Sequence, residues 1–222
     1  MMAAMAFLFL SAMATSRQTP SAPPNMAAAR GGQFVDAIAV RIEDDIITES
    51  EVRELEQFQQ LVDGHSQPRD EVIKELIDQW IVRNEANTTK FPTPSAEDVQ
   101  HEYDRLVMQF HSGGELNQKL AAAGLSEMAV RRMLEQQIFL ARFLDYRFRP
   151  AAEVGQSDIE NYYEKELVPE LKAKNQTVPP LDDVTDSIRE VLTQRAIGDS
   201  STKWLDDSRT SLRIDIAPEP EP

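Results

Sequence analysis

Residues 125–148 read LSEMAVRRMLEQQIFLARFLDYRF, and this stretch decides the fold. Ser126 stands where it can cap a helix, and Pro150 marks the stop just beyond the end. Val130, Met133, Leu134, Ile138, Ala141, Leu144 and Phe148 recur at steps of three and four, which is the helical period. Phe139, Leu140 and Phe143 widen the stripe until more than one side is apolar. A helix of that kind is expected to be a spine buried on several sides, roughly 35 Å long at about 1.5 Å per residue. The other helices are expected to wrap around it.

Working back from the spine, Gly124 ends a short helix expected over residues 115–123, and Gly113-Gly114 reads as a turn before it. Ser95 caps a helix carrying Val99, Tyr103, Leu106, Val107 and Phe110, with Glu97 and Asp98 in its first turn. A longer helix over residues 69–88 places Val72, Leu76, Trp80 and Arg83 on one face, with Ile73, Ile77 and Ile81 beside them. Ahead of it, Thr48 and Glu51 form a capping box that opens a helix over residues 49–62, broken by Gly64 and Pro68. Beyond the spine, Ser157 begins a short helix reaching Tyr163 or Leu167. Residues 168–180, with three prolines and the run KAKNQT, read as a loop. Residues 181–208 are helical, with Gly198 expected to weaken or kink the helix by about 1 kcal/mol relative to Ala.

Two segments have strand periodicity instead. Ile38, Val40 and Ile42 alternate with Ala39 and Arg41, while Leu212, Ile214 and Ile216 alternate with Arg213 and Asp215; Asp44-Asp45 turns the chain after the first. A lone strand leaves its backbone hydrogen bonds unmade. The two are therefore expected to pair, closing the ends of the ordered chain in a two-stranded ribbon; the alternative for either is an ordered loop. The fold class expected is mainly α, a multi-helix cradle around one long central helix.

A formal net charge of -15 and a pI near 4.6 argue against a nucleic-acid partner, because phosphate contacts need clustered Lys and Arg. With no cysteine there is no disulfide framework, thiolate nucleophile or thiolate metal site. Residues 1–14, MMAAMAFLFLSAMA, hold a short apolar centre followed by the small-x-small sequence Ala12-Met13-Ala14. That form is expected of a cleaved export signal, although no Lys or Arg precedes the apolar centre; a disordered tail is the alternative. The apolar run is too short for a stable membrane span. Residues 15–33, rich in Pro, Ala, Ser and Gly, read as an unstructured linker, and 217–222 as a disordered tail.

Six segments together resemble the SurA family of periplasmic chaperones. FVDAIAVRIEDDIITESEV (34–52) is similar to the family's opening strand, and EVIKELIDQWIVRNEA (71–86) to its second helix. PSAEDVQHEYDRLVMQF (94–110) and LNQKLAAAGLSEMAVRRMLEQQIFLARFLDYRF (116–148) resemble the helices leading to the last core helix. SDIENYYEKE (157–166) is similar to the short helix that precedes the family's isomerase insert, and residues 181–216 to its closing helix and strand. The resemblance covers residues 34–216. It implies a SurA-like, trigger-factor-like helical peptide-binding domain. Where many relatives carry a parvulin-type prolyl isomerase of roughly a hundred residues, this chain has only residues 167–180. The resemblance therefore implies the chaperone module without the enzyme.

The residues offer no catalytic constellation. His65 sits in a Gly/Ser/Pro loop, and His101 and His111 are ten apart, not the i, i+4 spacing of a helical metal pair. Adjacent carboxylates such as Asp44-Asp45, Asp182-Asp183 and Asp206-Asp207 point apart, as caps and solvated faces do. No phosphate loop, Rossmann glycine pattern or G-x-S-x-G is present, and no cofactor is expected.

What remains is apolar surface. Leu106, Met108, Phe110, Leu116, Met128, Met133, Phe139 and Phe143 are the candidate lining of a peptide groove between the third helix, the short helix and the spine. Methionine adapts to irregular partners, which suits promiscuous binding; the competing reading is that these side chains fill the domain's own core. The expected function is an ATP-independent periplasmic holdase for unfolded polypeptides, outer-membrane proteins among them. A scaffold for one dedicated envelope partner, self-association, and, less readily, prolyl isomerisation are the alternatives.

Overall fold

The computed structural model describes residues 36–110 and 112–219. The export signal and linker expected over residues 1–33 lie outside the described residues, as do His111 and the last three residues of the tail. No helix among the described residues is long and apolar enough to cross a membrane.

The fold is mainly helical, as its periodicity predicts, with a small antiparallel sheet. Strand β1 (Ile38–Ile42) turns through Glu43 and Asp44 into β2 (Asp45–Thr48), which runs into α1 (Glu49–Asp63). Helices α2 (Arg69–Thr89), α3 (Ala96–Met108), α4 (Gly113–Ala123) and α5 (Glu127–Phe148) follow. After a short 3₁₀ turn, α6 (Gln156–Tyr162) continues through a π-wide turn at Tyr163–Leu167 into α7 (Val168–Ala173). Helix α8 (Leu181–Ser211) and strand β3 (Ile214–Ile216) close the chain.

The expected pairing of first and last strands is present: Val40, Arg41 and Ile42 oppose Ile216, Asp215 and Ile214. The ribbon is not two-stranded, however. Residues 45–48 form a third strand, so the order is β2-β1-β3 with β1 in the middle. The hairpin turn carries no Asn-Gly or Asp-Gly signal. Glu43 instead takes the left-handed conformation itself, at φ 50°.

The helix ends follow their caps. Glu51 donates its backbone N–H to Thr48 Oγ1 and its carboxylate accepts from Thr48 N, completing the expected box; Ser95 and Asp98 repeat the arrangement on α3. Such a cap stabilises by about 1 kcal/mol. Helix α4 begins at Gly113, earlier than expected, because Ser112 Oγ accepts from Glu115 N and so caps a helix that includes both glycines. Gly198 does not interrupt α8, which runs unbroken between the buried Ile197 and Ser201.

The loop expected over residues 168–180 is helical as far as Ala173. Pro169 lacks an N–H, and its ring crowds the carbonyl four residues back, at Lys165. The chain meets that clash by widening at Tyr163–Leu167, so the helix continues past the proline. Beyond it, Tyr163 Oη donates to Pro179 O at 2.7 Å and fixes the return to α8.

Two apolar clusters make the core. The larger joins the sheet to α1, α2, α3, α4 and the N-terminal half of α5, through Val40, Ile42, Val52, Phe58, Leu116 and Val130 among others. The smaller centres on Val82, Ala86 and Phe143, flanked by Phe91, Phe139, Leu140 and Leu144. Trp204 and Leu205 of α8 pack against both. Each fully buried Val, Leu, Ile or Phe contributes about 1.5–3 kcal/mol relative to exposure, so the pairings between helices are dictated by these faces. The Arg209–Asp78 ion pair ties the end of α8 to α2, and β3 then reaches β1.

Helix α5 packs against α1, α2, α3 and α8, as a spine should. It is not sheathed along its whole length. Gln137 and Ala141 near its middle are exposed, between the buried Leu134 and Phe143.

Candidate functional site

The expected groove between α3, α4 and α5 is not assembled. Leu106, Leu116 and Met133 are buried in the larger cluster, and Phe143 in the smaller one. Phe110 is half-buried against the larger cluster, with Lys119 Nζ 5.2 Å from its ring centroid. Phe139 sits edge-on to Phe91, centroids 5.7 Å apart, beside the smaller cluster. Met108 and Met128 are exposed, at 78% and 76%. The physical reason is that α4 packs on α1, so its apolar face, Leu116 and Leu120, is consumed there. Helical spacing selects residues that leave water, and here most leave it for the domain's own core.

A cleft of about 440 Å³ opens instead on another side of α5, between β2 with the start of α1, α2, and the middle of α5. Its apolar lining includes Ile46, Ile47, Leu55, Leu76, Trp80 and Met133, the last being one of the eight residues expected in a groove. Trp80 is held in place by donating Nε1–H to Asp45 Oδ2 at 2.9 Å, which anchors α2 to the beginning of β2. Three side-chain amides, Gln79, Gln136 and Gln137, share the lining. Glu54 and Arg132 form an ion pair from α1 to α5 at the same cleft. Arg83 also lines it, exposed, and no carboxylate among the described residues pairs with it.

The cleft has neighbours. A second of about 260 Å³ shares Leu55 and Gln137 with it and reaches Leu106 and Leu134. A third, about 400 Å³, lies between α3 and α5 at Ile138, Ala141 and Arg142, and Gln137 borders it too. The exposed middle of the spine is thus common to all three.

Charge around these clefts is set by local partners. Arg142 and the Ser95 cap hold the Asp98 carboxyl well below its usual range at the rim of the third cleft. Burial pushes Glu75 up in the second, against hydrogen bonds from Gln79 and Gln59 that favour its charged form. Asp78 is likewise raised by burial, although Arg209 beside it pulls the other way. His65 Nδ1–H donates locally, to Asp63 O, and His101 faces Glu97 one turn back.

Apolar walls take side chains, and amides offer both donors and acceptors to a peptide backbone. Ile46, Leu76, Trp80, Arg83, Gln136 and Gln137 were not among the candidates from sequence. Two signals point to them: Ile46-Ile47, adjacent apolar residues on a short strand that cannot both face one core, and Gln136-Gln137, paired amides where the apolar stripe of α5 passes from Leu134 to Ile138. No family model matches the chain, and no curated protein matches it.

Proposed function

We propose that this protein is an ATP-independent holding chaperone that shields extended, unfolded polypeptide from aggregation, working in the periplasm with outer-membrane proteins among its clients. The observation that carries the reading is the 440 Å³ cleft, whose lining combines Ile46, Leu76, Trp80 and Met133 with three side-chain amides. Side chains of an unfolded client that enter it leave water, at about 25 cal/mol per Å² of apolar surface buried. Those amides compensate the client's backbone groups without reading its sequence. The contacts are few, so each engagement is weak and many clients suit. The resemblance of residues 34–216 to the SurA family supports the same reading, including its compartment, and it lacks the isomerase insert.

The test is light scattering from a denatured outer-membrane protein diluted with and without the full chain. Suppression near stoichiometric ratios is expected, weakened several-fold by Ile46→Asp at the half-exposed cleft wall and unchanged by Met108→Ser, an exposed residue of α3 that does not line the cleft. No suppression at large excess rejects the chaperone reading, and a single tight partner would make the protein a scaffold.

A further inference from the structure

Strand β2 is an edge strand, and its backbone has a hydrogen-bonding pair left over. Glu43 N donates to Arg213 O at 3.0 Å, and Ala217 N donates to Ala39 O at 2.8 Å. The peptide groups of residues 39, 41 and 43 therefore face β3, and by the two-residue period those of Val40 and Ile42 face β2. Val40 and Ile42 oppose Ile47 and Asp45, so Ile46, opposite Arg41, turns its N–H and C=O away from β1. Thr48, the next residue with that orientation, already gives its N–H to Glu51 at 2.8 Å. Ile46 alone on β2 keeps both a donor and an acceptor for an incoming strand.

The cleft lies against that edge. Ile46 and Ile47 are successive on a strand, so their side chains leave opposite faces of the sheet. Both nonetheless line the cleft, which is possible where it borders the strand's free edge. Unmet backbone groups opening into an apolar trough ask for another backbone, and Arg83 asks for a carboxylate.

We propose that an extended segment of a client chain, alternating apolar and polar and carrying an acidic residue at one of its apolar-phase positions, adds to β2 as a fourth strand. It exchanges both backbone hydrogen bonds with Ile46, seats apolar side chains toward Leu76 and Trp80, and places its carboxylate at Arg83. The segment comes from another protein, because a second copy paired antiparallel through Ile46 would set Asp44 opposite Thr48, where the Glu51 carboxylate already sits, and so bring acid against acid across the edge. This rests on the chaperone reading and specifies how a client is held.

The experiment uses the full chain and a labelled ten-residue peptide of alternating Val and Thr in which one central Val is replaced by Asp, read by fluorescence anisotropy. Two further peptides are N-methylated at alternate residues, one in each phase. The alternation pins which phase faces β2, so one methylated peptide is expected to bind about 10-fold more weakly, the loss of one to two backbone bonds, while the other binds as the parent does. Ile46→Pro is expected to give the same loss with an unchanged melting temperature, since its N–H serves no bond within the fold and an edge strand accepts proline. Slowed hydrogen exchange at the Ile46 amide on adding peptide is expected in the wild-type chain, and this decides the matter should the proline variant not fold. Equal effects of both methylated phases, or an Ile46 amide unprotected by saturating peptide, overturn strand addition while leaving the chaperone reading standing. Protection that grows with protein concentration and without peptide assigns the edge to a second copy and also overturns it. Absence of peptide binding overturns it as well, and if aggregation is not suppressed either, the chaperone reading falls with it.

Discussion

Replacing Phe143 by alanine separates a core residue from a groove residue. The ring is 1% exposed and centres the smaller apolar cluster. Phe91 meets it edge-on, centroids 5.4 Å apart and planes at 85°, and Trp204 lies 6.5 Å away. Truncating a buried phenylalanine costs about 3–5 kcal/mol, the spread reflecting how far the site can collapse. Collapse is limited here, because the cavity walls are Val82 and Ala86 on α2, both fully buried, and Trp204 on α8. Aromatic pairing adds about 0.5–1.5 kcal/mol per contact beyond area. About 4 kcal/mol is therefore expected, which in a domain of this size lowers the melting temperature by roughly 8–16 °C at about 2–4 °C per kcal/mol. Urea denaturation followed by far-UV circular dichroism, with an unchanged dependence on denaturant, measures it. Below the transition the variant should suppress client aggregation as the parent does. A cost under about 1.5 kcal/mol together with weakened client binding would refute the placement, and return Phe143 to a binding groove.

Two further substitutions test the electrostatics. Arg209→Met leaves Asp78 without its cation between α2 and α8; with side chains only 17% and 19% exposed, a loss of about 2–3 kcal/mol in urea is expected, largely restored by adding Asp78→Asn. Glu75 concerns pH. Burial raises its folded value above the usual 4.5, so between the two values the folded state binds more protons than the unfolded one. Stability therefore falls as pH rises through that interval, and Glu75→Gln is expected to flatten the fall without abolishing it, since Asp78 titrates in the same sense. A denaturation series that steepens in the variant would reverse the assigned cause.

How much of this could be read from the sequence differs by element. Helices announced by caps, Thr48 with Glu51, Ser95 with Asp98 and Ser126, start where their side chains say, because capping is a contact over three residues and needs nothing distant. The pairing of β1 with β3 was legible for another reason: a strand without a neighbour is untenable, and only one other strand pattern was visible. What failed was governed by competition. Strand β2 hides in four residues, Asp-Ile-Ile-Thr, whose turn uses Glu43 where glycine or asparagine would have signalled it. Pro169 reads locally as a helix stop, but the widened turn before it lets the helix pass.

The eight expected groove residues do not line one surface, because hydrophobicity marks what leaves water without saying which surface receives it. Leu116 and Met133 satisfied the pattern by entering the core, and Met108 and Met128 by remaining outside every cluster. The cleft lies where the pattern on α5 is interrupted. One end of the helix serves the larger cluster through Val130 and Leu134, the other serves the smaller through Phe143, and Gln136 and Gln137 fall between. A helix that bridges two cores must leave one at some point along its length, and the cleft opens near that point. Filling it with leucine would stabilise the domain by burying more apolar surface there. It would also join the two cores and close the cleft, so the polar middle of the spine is what keeps the cleft open.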